Sequence, residues 1–172
     1  MATTDTIFPL SVQGNVPTDT VYATLDTITD AAAAGPKSIT LVLRFDGATT
    51  QYTEWTQQVP SHYDGGGFTW SYKGGTDGTA TAAVQMDLAI KKIADGTALD
   101  SDLNMDGQTV AAIDDTQPAT DFSLEYSSTQ TLSHANAGSP AVGDYVIIRL
   151  SRDTADSNTD DMLISKVLIL ET

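Results

Sequence analysis

The side chains in this chain best suited to chemistry are oxygen ligands and flat rings. Asp102-x-Asn104-x-Asp106-Gly107 sets side-chain oxygens at alternate positions before a glycine, as in the first half of a calcium-binding EF-hand loop. The position that would supply the bidentate acid is Ile113, and no helical pattern flanks the loop, so this is not an EF-hand. What remains is an irregular Ca²⁺ site with Asp100, Asp102, Asn104 and Asp106 as candidate ligands and Asp114 and Asp115 nearby. The preferred reading of these acids is plainer: short polar side chains cap turns by bonding their own backbone. The segment 153–161, DTADSNTDD, poses the same choice and reads as a solvated loop. Within it Asp153 is placed to pair with Arg152, and an exposed pair of that kind contributes about 0–1 kcal/mol.

Catalytic sets are thin. His62 and His134 are the only histidines, and both fall in loop contexts. A contact between His62 and Asp64 is sterically simple, but neither a G-x-S-x-G elbow nor an H-E-x-x-H motif accompanies it. The chain has no Cys, which excludes thiol nucleophiles, thiolate metal sites and disulfides. Gly74-Gly75-Thr76-Asp77-Gly78 lacks the lysine and helix of a phosphate-binding loop. The expectation is a protein that is not an enzyme.

The rings raise a different chemistry. Tyr52, Trp55, Tyr63, Trp70 and Tyr72 could stack on sugars, or they could fill a core. Both Trp sit at strand spacing within apolar faces, which favours the core. Tyr63 lies in the turn Tyr63-Asp64-Gly65-Gly66-Gly67, so Tyr63 and Asp64 are the expected ligand contacts.

The elements that must hold these groups are strands. The sequence has 20 Asp but 3 Glu, together with 26 Thr, which favours strands and turns over helices. Ile39, Leu41, Leu43 and Phe45 lie on one face with Thr40, Arg44 and Asp46 on the other, and Val84, Met86, Leu88 and Ile90 alternate with Ala83, Gln85, Asp87 and Ala89. A β-bulge at Lys91-Lys92 is expected to return Ile93 to the core. Trp55, Gln57 and Val59 share a face until Pro60 stops that strand, and Phe68, Trp70 and Tyr72 share a face of the next. Gly74, Gly75 and Gly78 read as a loop, and 95–120 as a long polar connection. Phe122, Leu124 and Tyr126 mark a strand, 145–150 is apolar on both faces, and a last strand runs over about 162–170. Phe8, Leu10 and Val12 suggest a strand, Tyr22–Ile28 a short strand or turn, and 31–36 one helical turn at most. About eight antiparallel strands with long crossings predict an all-β, two-sheet β-sandwich of jelly-roll or Greek-key type. Residues 1–20 read as an N-terminal arm or edge strand, open to ordering by a neighbouring subunit, and 21–172 as a single domain.

The formal net charge of −15 repels phosphate backbones and argues against direct nucleic-acid binding. No apolar run reaches the roughly 20 residues that span a bilayer, and MATTDTIFPLS has no secretory pattern.

Several short motifs, taken in order, carry a family likeness. They are 22–27 (YATLDT), 59–67 (VPSHYDGGG) with the aromatic strand after it, 93–96 (IADG) and 99–102 (LDSD). Gly143-Asp144, 146–150 (VIIRL), Arg152-Asp153 and Asp160 complete the set. Together they resemble the small single-domain jelly-roll virion structural proteins of tailed bacteriophages, over roughly residues 20–172. Met86 and Ile164-Ser165-Lys166 depart from the family's usual residues. The resemblance implies a non-enzymatic capsid decoration protein, a homotrimer on the outside of the head, partnered by the major capsid protein or other virion subunits. Its localisation would be the virion, after synthesis in the host cytoplasm. The alternatives it leaves are a tail-tip or fibre domain that binds a host glycan, and a secreted carbohydrate-binding module.

Overall fold

Alternation of apolar and polar residues is realised as strands along almost the whole chain. The computed structural model describes residues 6–17, 20–29, 35, 37–97, 104–153 and 155–172. In chain order these contain β1 (Thr6–Leu10), β2 (Val16–Pro17), β3 (Thr24–Thr29), β4 (Ile39–Phe45), β5 (Gln51–Gln58) and β6 (Phe68–Thr76). They continue with β7 (Ala83–Ile93), β8 (Ala111–Thr116), β9 (Glu125–Tyr126), β10 (Gln130–Leu132), β11 (Tyr145–Asp153) and β12 (Met162–Glu171). A single 3₁₀ turn, Val12–Gly14, separates β1 from β2.

The strands form the predicted two-sheet antiparallel sandwich. Its seven-stranded sheet runs β10-β6-β12-β4-β3, with β1 added to β12 and β9 to β6. β1 and β4 share one side of β12 in tandem, β4 against Met162–Ile164 and β1 against Val167–Leu170. Residues 6–10 are therefore an edge segment ordered by the chain's own last strand. The five-stranded sheet runs β2-β5-β11-β7-β8, so β5 and β7 flank β11 along its whole length.

Between the sheets lie Trp55, Trp70, Tyr72, Phe8, Phe45 and Phe68, all essentially inaccessible. Each indole N–H is satisfied on the way in: Trp55 Nε1 donates to Ser11 O at 2.9 Å and Trp70 Nε1 to Ala111 O at 3.1 Å. Burying both groups without those acceptors would cost on the order of 1–3 kcal/mol apiece. The two Trp belong to the core, as their spacing predicts.

Several expectations are corrected. The connection 95–120 contains β8, because Ala111 and Ile113 supply a two-residue apolar alternation that pairs with β7. Gly74 and Gly75 belong to β6 and not to a loop. A Cβ on Gly75 would lie 1.8 Å from Ser123 O, so glycine is required there by close approach of another backbone. No bulge interrupts β7: its register with β11 runs unbroken from Gln85↔Asp153 to Ile93↔Tyr145. Ile93 thus stays on the outer face, half-buried against Ala89, Ile147 and Met105. On the second face of 145–150 that small outer cluster covers Ile147, while Tyr145 stays exposed. Phe122 is an exposed turn residue with φ 55°, and only Glu125–Tyr126 of its stretch is strand. The helical turn suggested over 31–36 falls mostly outside the described residues.

The acidic loop 155–161 is not a solvated loop. It wraps the guanidinium of Arg152, whose side chain is fully buried against an Asp156 carboxylate that is itself 2 % exposed. Arg152 Nη1 donates to Asp160 O at 2.5 Å, and Nη2 to Asn158 O at 2.6 Å. Asp156 accepts from Gln85 N and Asn158 N, and Asn158 Nδ2 reaches Ala82 O at 2.8 Å. Arg152 pairs with Asp156 and not with Asp153, because alternation along β11 turns Arg152 inward and Asp153 outward.

Candidate functional site

The same alternation decides what the outer face of the five-stranded sheet presents. Trp55 on β5 and Val146, Ile148 and Leu150 on β11 are buried against the other sheet. Tyr52 and Glu54 on β5, Arg149, Ser151 and Asp153 on β11, and Gln85 and Asp87 on β7 face the other way. Register sets them in rows across the sheet: Glu54–Arg149–Ala89, then Tyr52–Ser151–Asp87. With strands spaced about 4.8 Å apart, each row is about 10 Å wide.

The loop after β7 returns over this face. Met105 is buried on Ala89 and Ile147, and Lys91 Nζ donates to Asn104 O at 2.6 Å. This crossing divides the face into two depressions. One, of about 370 Å³, is polar and is lined by Tyr52, Asp87, Arg149, Ser151, Asp153 and the 105–110 loop. The other, about 600 Å³, is shallow and mainly apolar, between Thr56, Ile93, Thr97, Gly143 and Tyr145.

Within the polar groove the guanidinium of Arg149 lies 5.1 Å from the Tyr52 ring centroid. Arg149 Nε and Nη2 both reach Glu54 Oε1 at 2.7 Å, which fixes the plane of the guanidinium. Nη1 is 3.7 Å from Asp106 Oδ1, beyond hydrogen-bond range, and so keeps donors for a ligand. Across the groove Gln85 Nε2 donates to Asp87 Oδ1 at 3.2 Å and to Asp153 Oδ2 at 3.4 Å. One amide nitrogen therefore spans both carboxylates. Burial pushes the Asp87 carboxyl above the ordinary range; the Gln85 bond opposes that and the Asp153 charge adds to it. Tyr22, exposed, is bridged to Tyr52 at the sheet edge.

The residues singled out from sequence fare unevenly. Tyr63 is not exposed: it is 4 % accessible, stacks on Phe68 at 5.4 Å and donates its hydroxyl to Gly66 O. Asp64 is exposed, but its backbone N–H is tied to Glu171 Oε1 at 2.9 Å, and Gly66 N binds the same oxygen at 2.8 Å. The Tyr63–Gly66 turn is a closure on the last strand. Asp100 and Asp102 lie outside the described residues. Of their partners, Asn104 Oδ1 accepts from Asp106 N at 2.7 Å, the turn-cap arrangement. Among the described residues no three His, Cys, Asp or Glu converge to hold a metal. His62 is exposed, and His134 Nε2 bonds Pro140 O at 3.0 Å.

The groove residues were missed apart from Tyr52. Asp87 reads from sequence as one of the alternates of its strand, and Arg149 lies within 145–150, a stretch that reads as apolar on both faces. The signal available was that Tyr52, Glu54, Asp87, Arg149 and Asp153 all fall on outward phases of strands that prove to be neighbours.

The sequence matches no protein-family model and no curated protein. Among solved structures it is similar in fold to a family 35 carbohydrate-binding module from Cellvibrio japonicus, at 11 % identity and TM-score 0.46 over 91 % of each chain. A second similarity is to the CBM22-1 xylan-binding domain of Paenibacillus barcinonensis Xyn10C, at 10 % identity and TM-score 0.47, covering 96 % of this chain and 91 % of that one. A third is to the enzymatically active domain of tailspike protein 4 from bacteriophage CBA120, at 12 % identity and TM-score 0.44 over 92 % of this chain. The chain spans about a fifth of that tailspike's length, 19 %. At such identities these likenesses concern the fold alone.

Proposed function

We propose that this protein is a carbohydrate-binding β-sandwich module that holds a glycan in the polar groove on the outer face of its five-stranded sheet. The observation that carries this reading is the groove's own chemistry. A tyrosine ring and a guanidinium adjoin as flat surfaces on one side, two carboxylates stand opposite, and Ser151 lies on the strand between them. Sugars offer apolar ring faces edged by hydroxyls that both donate and accept, and such a surface meets both needs. The groove's volume, about 370 Å³, suits one to a few sugar units. The apolar depression beside Tyr145 offers area without that set of polar partners.

The resemblance to tailed-phage virion proteins supplies a setting, in which the module would be a tail-tip or fibre domain that engages a host-surface glycan. The head-decoration reading, a homotrimer on the major capsid protein, rests on the motif likeness alone. Its strongest motif, Tyr63 to Gly67, is occupied with closing the fold.

A glycan array followed by titration of any positive ligand tests the proposal. Binding at micromolar Kd that is lost in Tyr52→Ala is the expected result. Silence of the wild-type chain across the array, with co-sedimentation on undecorated capsids, would overturn it in favour of decoration.

A further inference from the structure

Asp-Gly is a dipeptide at which a protein backbone can rearrange by itself, because glycine has no side chain to shield its own nitrogen. The glycine nitrogen attacks the aspartate Cγ, a C–N bond forms, and the departing carboxyl oxygen leaves as water. Water then opens the resulting succinimide at the backbone carbonyl, and the chain continues through Cγ as isoaspartate. Water is lost once and regained once, so no other reactant is needed. The sequence has five such pairs, beginning at Asp46, Asp64, Asp77, Asp95 and Asp106.

Three of the pairs are held. Gly47 N donates to Asp161 Oδ1 at 2.9 Å, and the Asp46 carboxylate accepts from Ala48 N. Both carboxylate oxygens of Asp77 are engaged, one by Arg44 and the other by Asp161 N. Asp64 N and Gly66 N are both bound to Glu171 Oε1, which clamps the Asp64–Gly65 peptide from either side. Reaction at these pairs must wait for local opening. The other two differ. Asp95–Gly96 and Asp106–Gly107 are exposed, each at the centre of a turn closed by a single backbone bond. Those bonds are Thr97 N to Ala94 O at 3.1 Å and Gln108 N to Met105 O at 3.2 Å, so neither glycine nitrogen takes part. Nothing stands within 4 Å of where a Cβ would be on Gly96 or Gly107. Asp106 Oδ1 is beyond hydrogen-bond range of Arg149 at 3.7 Å, and the Asp95 carboxylate has no partner among the described residues.

We infer that the loop after β7 is a site of spontaneous covalent modification, in which Asp95 and Asp106 convert to isoaspartate while the fold protects the other three Asp-Gly pairs. Both positions border the outer face of the five-stranded sheet, Asp95 at the apolar depression and Asp106 at the polar groove. Isoaspartate adds a methylene to the backbone and moves the carboxylate onto Cα, so conversion at Asp106 reshapes one wall of the groove. The modification does not depend on what the groove binds.

The test is to age the whole chain for weeks in mildly acidic buffer, beside the same chain held unfolded in concentrated urea. Isoaspartate is then located by peptide mapping, with fragmentation that distinguishes the two backbone linkages. In urea all five pairs are expected to convert at similar rates, because each then has only its local sequence. In the folded chain Asp95 and Asp106 should convert at least about tenfold faster than Asp46, Asp64 and Asp77, which react only through local opening. The double variant Asp95→Glu/Asp106→Glu keeps both charges but would have to close a larger, slower-forming ring. It should remove the signal from the loop and create none elsewhere. Equal conversion of all five pairs in the folded chain overturns the inference. So does a folded chain in which Asp64 leads, or one with no isoaspartate at Asp95 or Asp106 while the unfolded chain converts.

Discussion

Arg152 and Asp156 close an ion pair four residues apart, with neither side chain exposed by more than 2 %. The pair stands on the inner side of the strand whose outer side carries Arg149 and Ser151. One strand thus anchors the β11–β12 loop with one phase of its alternation and furnishes the groove with the other. Gln85 links the two systems: its backbone N–H binds Asp156 and its side chain binds Asp87 and Asp153.

Removing Arg152 leaves Asp156 buried without its countercharge. Arg152→Ala is expected to lower stability by about 3–5 kcal/mol in urea unfolding. The double variant Arg152→Met/Asp156→Leu should recover part of that loss. A loss below about 1 kcal/mol for the single variant would mean that the loop's backbone bonds suffice without the pair.

The turn at Tyr63 is held by its own hydroxyl and by Glu171. Tyr63→Phe removes the bond to Gly66 O and is expected to cost about 0.5–1.5 kcal/mol. Glu171→Gln should weaken the bonds to the Asp64 and Gly66 amides and speed hydrogen exchange at both. Neither change should alter glycan affinity, because this turn is not part of the groove. A tenfold affinity loss in Tyr63→Phe would return the binding site to the turn.

Gly75 has no room for a side chain beside Ser123 O. Gly75→Ala should cost about 1–3 kcal/mol by overpacking, read as a lowered thermal midpoint. Gly96→Ala provides the comparison: open space surrounds that glycine, and its φ of +79° alone carries the penalty.

Acid acts on two kinds of carboxylate. A backbone bond from Thr27 N and the bond from Arg44 hold Asp26 below 3.8, and the bonds from Lys92 and Ala141 N hold Asp144 below it. Groups with depressed pKa contribute stability that is present above the unfolded value and lost as pH falls through the folded one. Asp87 has the opposite sign, since its folded pKa is raised, so protonation relieves a buried charge. Asp87→Asn is therefore expected to stabilise slightly at neutral pH. Facing Asp87 in that titration are Asp153 from β11 and the Arg149–Glu54 pair across the groove. Urea unfolding of the wild-type chain and Asp87→Asn between pH 3 and 7, spanning the ordinary carboxylate range, checks the sign; equal stability of the two at neutral pH would remove the burial cost assigned to Asp87.

Local pattern was enough to place Trp55, Trp70, Phe68, Leu43, Phe45 and the alternating residues of β7, because a strand with one buried face must show period 2 wherever it lies; in β4 Ile39 is instead exposed and Val42, on the other phase, is buried. Pattern failed where contacts are distant in sequence. Gly75 looks like a loop glycine until Ser123 is laid across it. Tyr63 looks exposed until Glu171, over a hundred positions later, draws its turn down. β8 hides in a polar stretch because Ala111 and Ile113 become core only when β7 lies beside them.

The sequence by itself determined an all-β, two-sheet sandwich, since strand period, turn residues and the identity of the core are local properties. Only the tertiary structure decided which outward side chains meet. Tyr52, Asp87, Arg149 and Asp153 come from three strands whose order across the sheet, β5-β11-β7, no local pattern specifies. The groove is a product of that order and register, and so is the pairing of Arg152 with Asp156 beneath it.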